Sequence, residues 1–190
     1  MKIGFFGGSF NPPTNAHINL AKKAINECKL DKIIFVPMGD FYPKKGLAKA
    51  KDRYNMLKIG IPKEDRHLLE VSDIEIGIKE NLDAIDAFKK IEKIYPEDER
   101  YFIMGADNFK KILNWKESKK LIENYNYIVF ERKNVDLEKF IEEKLKIKIN
   151  IKIIKNTNYK NMSSTEFRRS ANKEIIPKEV LKYIEKHKIY

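Results

Sequence analysis

The chain switches repeatedly between two rhythms of apolar residues. Short continuous runs, Lys2–Phe6 and Lys32–Val36, read as buried strands, the second closed by Pro37. Between them Ile18, Ala21, Ile25 and Cys28 recur at helical spacing and predict a helix over Ala16–Lys29. Residues 38–50 read as a loop carrying glycine and lysine. Helices follow over Asp52–Ile61, ended by Pro62, and Leu82–Ile94, ended by Tyr95-Pro96. His67–Ile76 reads as extended. Arg100–Met104 predicts a strand, followed by "GADNF" and a helical stretch to about Asn124. Tyr125–Glu131 and Ile147–Ile154 predict two more strands, and two short helices close the chain near residues 164–171 and 177–187. Strands alternating with helices, with no repeat and no linker, point to one α/β domain over residues 1–190 whose C-terminal part, about 164–190, is helical. The expected architecture is an open parallel sheet, where ligands bind beyond the carboxyl ends of the strands, near the topological switch point.

Composition narrows the class. With 190 residues, 42% hydrophobic residues, 11 Phe and 9 Tyr, the chain has the material for a core burying about 70% of its unfolded surface. No run approaches the ~18 apolar residues of a membrane span, and the N-terminal run stops at Gly7, too short for a secretion signal. Cys28 is the single cysteine, which excludes an internal disulfide, argues against a cysteine-based zinc site and suits a reducing cytoplasm. On the first helix it reads as a core residue. The formal charge of +11 admits a nucleic-acid surface, but the lysines run from end to end, which fits compositional bias plus a local anion site. No nucleic-acid or membrane partner is expected; a monomer and a homo-oligomer both remain open.

The chemistry concentrates in four stretches. "GGSFNPPTNAH", residues 7–17, follows the first strand. Gly7 and Gly8 permit close backbone approach and positive φ, and a helix starting near Thr14–Ala16 offers unpaired N–H groups to phosphate. Thr14 and His17, three residues apart, can face the same end. "VPMGDFYPKKGL", residues 36–47, sets Lys44 and Lys45 after the second strand on the same sheet edge. "FIMGADNF", residues 102–109, puts Asp107 just past a strand, where a carboxylate can accept ribose hydroxyls. "NMSSTEFRRS", residues 161–170, joins three hydroxyls at a helix start to Arg168 and Arg169, a second anion site. Neither a dinucleotide fingerprint nor a Walker A loop occurs.

These motifs, in this order, resemble the nucleotidyltransferase superfamily with an [H/T]-x-x-H signature, and more closely the nicotinate/nicotinamide mononucleotide adenylyltransferases. The resemblance runs nearly end to end, through "NWKESKKLIENYNYIVFERK" to the closing "VLKYIEKHKIY". It implies a Rossmann-like fold with helices on both faces and transfer of AMP from ATP to nicotinate mononucleotide, or also nicotinamide mononucleotide. Pyrophosphate leaves, and Mg²⁺ travels with the ATP phosphates. The attacking phosphate is already ionised at neutral pH, so positioning and charge stabilisation suffice.

By the same resemblance, Gly7, Gly8, Ser9 and Phe10 line both nucleotides and His17 holds the ATP phosphates, with Thr14 where many bacterial members have histidine. Lys45 and Arg53 resemble phosphate contacts. Gly105 and Asp107 resemble the ATP-ribose positions, Trp115 the aromatic that stacks on the pyridine, and Ser164, Thr165 and Arg168 the phosphate-binding helix start. One region departs. Where nicotinate-specific bacterial members carry Ser-Tyr-Thr, a few residues after the glutamate that Glu75 resembles, this chain reads Asn81, Leu82, Asp83, Ala84, and an acidic Asp83 opposes a substrate carboxylate. The resemblance also covers phosphopantetheine adenylyltransferases and cytidylyltransferases, against which Trp115 and "IMGAD" argue. A nucleotide sensor on the same fold is a further alternative.

Overall fold

Six strands lie side by side and all run parallel: β1 (Lys2–Gly8), β2 (Lys32–Pro37), β3 (Leu69–Val71), β4 (Glu99–Gly105), β5 (Asn126–Phe130) and β6 (Asn150–Ile154). Their order across the sheet is β3-β2-β1-β4-β5-β6. The helices are α1 (Asn15–Cys28), α2 (Ala50–Gly60), α3 (Ala84–Ile94), α4 (Ala106–Phe109), α5 (Ser118–Asn124), α6 (Leu137–Phe140), α7 (Ser164–Ser170) and α8 (Lys178–His187). This computed structural model describes residues 1–131, 136–145, 149–155 and 162–190.

Successive strand residues point to opposite faces, so each apolar run feeds two cores at once. Phe5, Phe102 and Met104 pack with Phe88 and Ile91 of α3 and Ile122 of α5 on one face. Phe6, Phe35, Ile103 and Ile128 pack with Ala21 and Ala24 of α1 and Leu57 of α2 on the other. Helices therefore cover both faces, as expected for this fold, and the continuous strand runs are explained by burial on both sides. A third cluster joins Met56 of α2, Phe167 of α7 and Val180 and Ile184 of α8, holding the C-terminal helices against the domain. α1 crosses on one face and α3 on the other, so β1 and β4 flank the switch point and their carboxyl ends open a crevice.

Several predicted boundaries move. The strand expected over 67–76 shortens to three residues, because β3 is an edge strand paired only with Ile33–Phe35, and the chain turns at once, with Ile76 N donating to Asp73 O at 2.8 Å. The single helical stretch expected up to Asn124 breaks into α4, a 3₁₀ turn at Ile112–Asn114 and α5, with Glu117 at φ 53° where the chain reverses. α2 starts earlier than expected, at Ala50, whose N–H is satisfied by Asp40 Oδ1 at 2.6 Å. Residues 147–148 of the last predicted strand and Asn161 of the fourth motif lie outside the described residues. Among the described residues no helix is long and apolar enough to cross a membrane.

Candidate active site

The opening loop joins β1 to α1 at the crevice. Gly7 and Gly8 both lie within β1, and neither has positive φ. Their small size serves two other purposes. A Cβ on Gly7 would meet no atom within 4 Å, and Gly7 lines a cavity. A Cβ on Gly8 would lie 3.0 Å from the Phe10 ring. Left-handed backbone falls instead on Phe10, at φ 44°, offset by burying its ring against Phe6, Phe35 and His17 at centroid distances of 5.7, 5.5 and 5.1 Å. The Phe10 side chain is 2% exposed, so it belongs to the core rather than to a nucleotide-lining surface.

Thr14 is the N-cap of α1 and is fully buried. Its backbone N–H donates to His17 Nδ1 at 2.9 Å, and its hydroxyl oxygen lies 2.9 Å from the same nitrogen. A backbone N–H can only donate, so Nδ1 accepts and the neutral ring carries its proton on Nε2. The side chain of Thr14 is thereby turned to His17, as an orienting group. His17 itself is half-buried against Phe10.

The fourth motif folds back onto this loop. Ser163 caps α7 by accepting from Glu166 N at 3.1 Å. Ser164 Oγ donates to Pro12 O at 2.7 Å, and Arg168 donates to Asn11 O and, at 3.4 Å, to Thr165 Oγ1. Arg169 pairs with Glu166 at 2.9 Å and is largely exposed. Asn11, a residue the sequence reading passed over, is the hub. Its amide donates to Gly46 O at 2.9 Å and accepts from Ala48 N at 2.9 Å and from the Tyr190 hydroxyl, tying the lysine loop and the C-terminus together. An Asn beside proline in a loop is the signal that marks such a bracket.

Two adjoining cavities of about 320 and 280 Å³ share Met38, Tyr42 and Lys111. The larger is an apolar slot between Phe5, Phe88 and Trp115, reached by Leu82, Asp83 and Ala84. Trp115 is half-buried and packs on the core, so it is both wall and core residue. The smaller is lined by Ser9, Lys44 and Lys111 among others. Lys44 Nζ donates to Ser9 Oγ at 3.1 Å, and burial, then the charges of Arg168, Arg53 and Lys111, pull its ammonium below the usual lysine range. This crowding of positive charge is what an anion relieves.

Both lysines are exposed, but Lys44 lines the smaller cavity and reaches Ser9, whereas Lys45 lines neither cavity. A loop has no periodicity from which to choose between adjacent lysines. Arg53 is corrected outright. It is fully buried in α2, and its guanidinium donates to Ala48 O at 2.8 Å, Ser9 O at 3.0 Å and Gly39 O at 3.3 Å. It braces the two loops from behind and does not face a substrate. Gly105 ends β4, and Asp107 stands exposed in the first turn of α4, at the same sheet edge. Lys111, missed in the sequence, follows that short helix. Cys28 is buried, and burial pushes its thiol up, as expected for a core residue.

Residues 5–170 match the model of the cytidylyltransferase-like family. A protein of Clostridium tetani named "Probable nicotinate-nucleotide adenylyltransferase" is 34% identical over 100% of this chain and 98% of its own length. One of Fusobacterium nucleatum with the same name is 35% identical over the full length of both. The solved structure of Plasmodium falciparum nicotinic acid mononucleotide adenylyltransferase complexed with NaAD has a TM-score of 0.80 and 26% identity, covering 100% of this chain and 97% of that one. With its doubly wound sheet, its cation-lined crevice and full-length relatives of one kind, this chain belongs to the cytidylyltransferase-like family, among the nicotinate-nucleotide adenylyltransferases.

Proposed function

We propose that the protein transfers AMP from ATP to nicotinate mononucleotide, releasing pyrophosphate and forming deamido-NAD in NAD biosynthesis. The observation that carries this reading is one crevice holding both halves of the chemistry: an apolar slot beside Trp115 for a flat ring, opening into a cavity lined by Lys44, Lys111 and Ser9 for phosphates.

A phosphate oxygen of the mononucleotide attacks the α-phosphorus of ATP. A new P–O bond forms, the bridging bond to the β-phosphate breaks, and the electron pair leaves with pyrophosphate. No proton must be removed from the nucleophile, which fits a site built from donors rather than around a strong base. In this reading His17 donates from Nε2 to the ATP phosphates, held in that tautomer by Thr14. Lys44, Lys111 and Arg168 offset charge on the leaving group, in a preorganised array that need not rearrange as the bond breaks. Ser164 and Thr165 set Arg168 against the opening loop. Gly105 and Asp107 receive the ATP ribose, and Trp115 stacks on the pyridine.

The phosphate end of the crevice is lined by the Lys44 and Lys111 ammoniums and the Ser9 hydroxyl, which suit phosphate oxygens rather than a cation. We therefore read the family's divalent metal as Mg²⁺ held by the ATP phosphates, where it supplies charge neutralisation. The single buried cysteine suits a cytoplasmic enzyme.

The test is pyrophosphate release with ATP and Mg²⁺, given nicotinate mononucleotide and nicotinamide mononucleotide in parallel. Turnover with the acid at the higher kcat/KM is expected. No release with either, from folded protein that still binds ATP, would replace this reading with a sensor or a different acceptor.

A further inference from the structure

Lys116 follows Trp115 and lines the same cavity. Its ammonium lies 3.4 Å from Asp83 Oδ2 and 3.3 Å from Asp86 Oδ2, one carboxylate just before α3 and one in its first turn. The backbone carrying it is fixed, with Trp115 N donating to Ile112 O and Ser118 N to Trp115 O, each at 3.1 Å. On the far side of the turn, Lys89 of α3 reaches Glu117 Oε1 at 3.5 Å. Ion pairs from Lys116 and Glu117 thus tie the Trp115 turn to α3.

The cations lining the longer cavity are Lys111 and Lys116. Lys111 also lines the second cavity, beside Lys44 and Ser9, and so belongs to the phosphate end. Lys116 stands at the indole end, within reach of a pyridine stacked on Trp115 in the adenylyltransferase reading. An ammonium has three N–H donors, and the two aspartates engage two directions. A further donor serves the oxygen of a carboxylate or a carboxamide alike, so the acid and the amide differ in charge and in the amide NH₂, which only the aspartates can accept. Two carboxylates and one ammonium leave the cluster at net minus one. Removing Lys116 would make it minus two, and neutralising Asp83 would bring it to zero.

We propose that Lys116, braced by Asp83 and Asp86, is the residue that sets acid-over-amide selectivity at the pyridine substituent, its ammonium favouring the carboxylate and the aspartates moderating that preference. The proposal rests on the adenylyltransferase reading above. It also explains how an acidic Asp83 is tolerated beside a nicotinate ring: the charge is shared with Lys116.

The experiment measures kcat/KM for both mononucleotides at saturating ATP in the wild type, Lys116→Gln and Asp83→Asn. Lys116→Gln is expected to lower the acid-to-amide ratio roughly fivefold, through KM for the acid, as for a partly solvated charge pair. Asp83→Asn is expected to raise it. Opposite shifts from two sides of one ion pair, with KM for ATP unmoved, are not produced by a general loss of structure. A ratio unmoved in both variants, with the wild type active, overturns the proposal and leaves the adenylyltransferase reading standing. A wild type silent with both mononucleotides overturns the two together.

Discussion

His17 shows how much of a side chain's chemistry is set by one neighbour. The Thr14 N–H occupies Nδ1 and so leaves the ring proton on Nε2. Phe10 supports the ring from behind at 5.1 Å. The spacing Thr14-x-x-His17 places both residues in one helical turn, and this much is visible in the sequence. The tautomer is not, because it depends on which atom the backbone donor meets. His17→Ala is expected to lower kcat about 10²-fold or more in the pyrophosphate assay, with little change in stability, as for loss of a preorganised transition-state donor. Turnover within a few-fold of wild type would remove His17 from the mechanism.

At the scale of elements, the site is a meeting of loops that have no structure of their own. The 38–50 segment is held by Asn11 from one side and by Arg53 from α2 on the other. Arg53 is a phosphate ligand by resemblance but a buried brace in the fold: three backbone carbonyls take its donors, and burial pushes its guanidinium pKa down. Arg53→Met keeps much of the side chain's volume and removes the donors. It is expected to cost about 3 kcal/mol, because carbonyls without partners in a dry interior lose more than a surface bond is worth. A urea titration measures this, and a loss under about 1 kcal/mol would mean water replaces the guanidinium.

For the whole molecule, pH tests the packing between the two halves of the crevice. Burial raises the Glu75 carboxyl above its ordinary value near 4.5, although Gly39 N donates to it at 3.1 Å. A raised acid holds its proton longer in the folded state than in the unfolded one. Between the ordinary value and the raised one the native protein therefore binds more protons, and the Glu75 contribution to stability falls as pH rises. Glu75→Gln keeps an acceptor for Gly39 N and has no proton to lose. Its stability relative to wild type is expected to improve as pH rises from 4.5 towards neutrality, read as the difference in urea midpoints. A difference independent of pH would show that Glu75 ionises in the native state as it does in the unfolded chain.

The sequence by itself determined the alternation of strands and helices, the two-sided burial of the strands and the four motifs at the sheet edge. These are local properties: periodicity acts over a few residues, and each motif is contiguous. It also carried the resemblance that led to the reaction. Only the tertiary structure decided that Lys44 and not Lys45 faces the crevice, that Arg53 is sealed inside, and that Lys116 meets Asp83 and Asp86 from about thirty residues away. Loop side chains have no repeating geometry to fix their direction, and long-range partners are chosen by how helices pack on a sheet. The charges of this site were written in the chain, but their pairing was set by the fold.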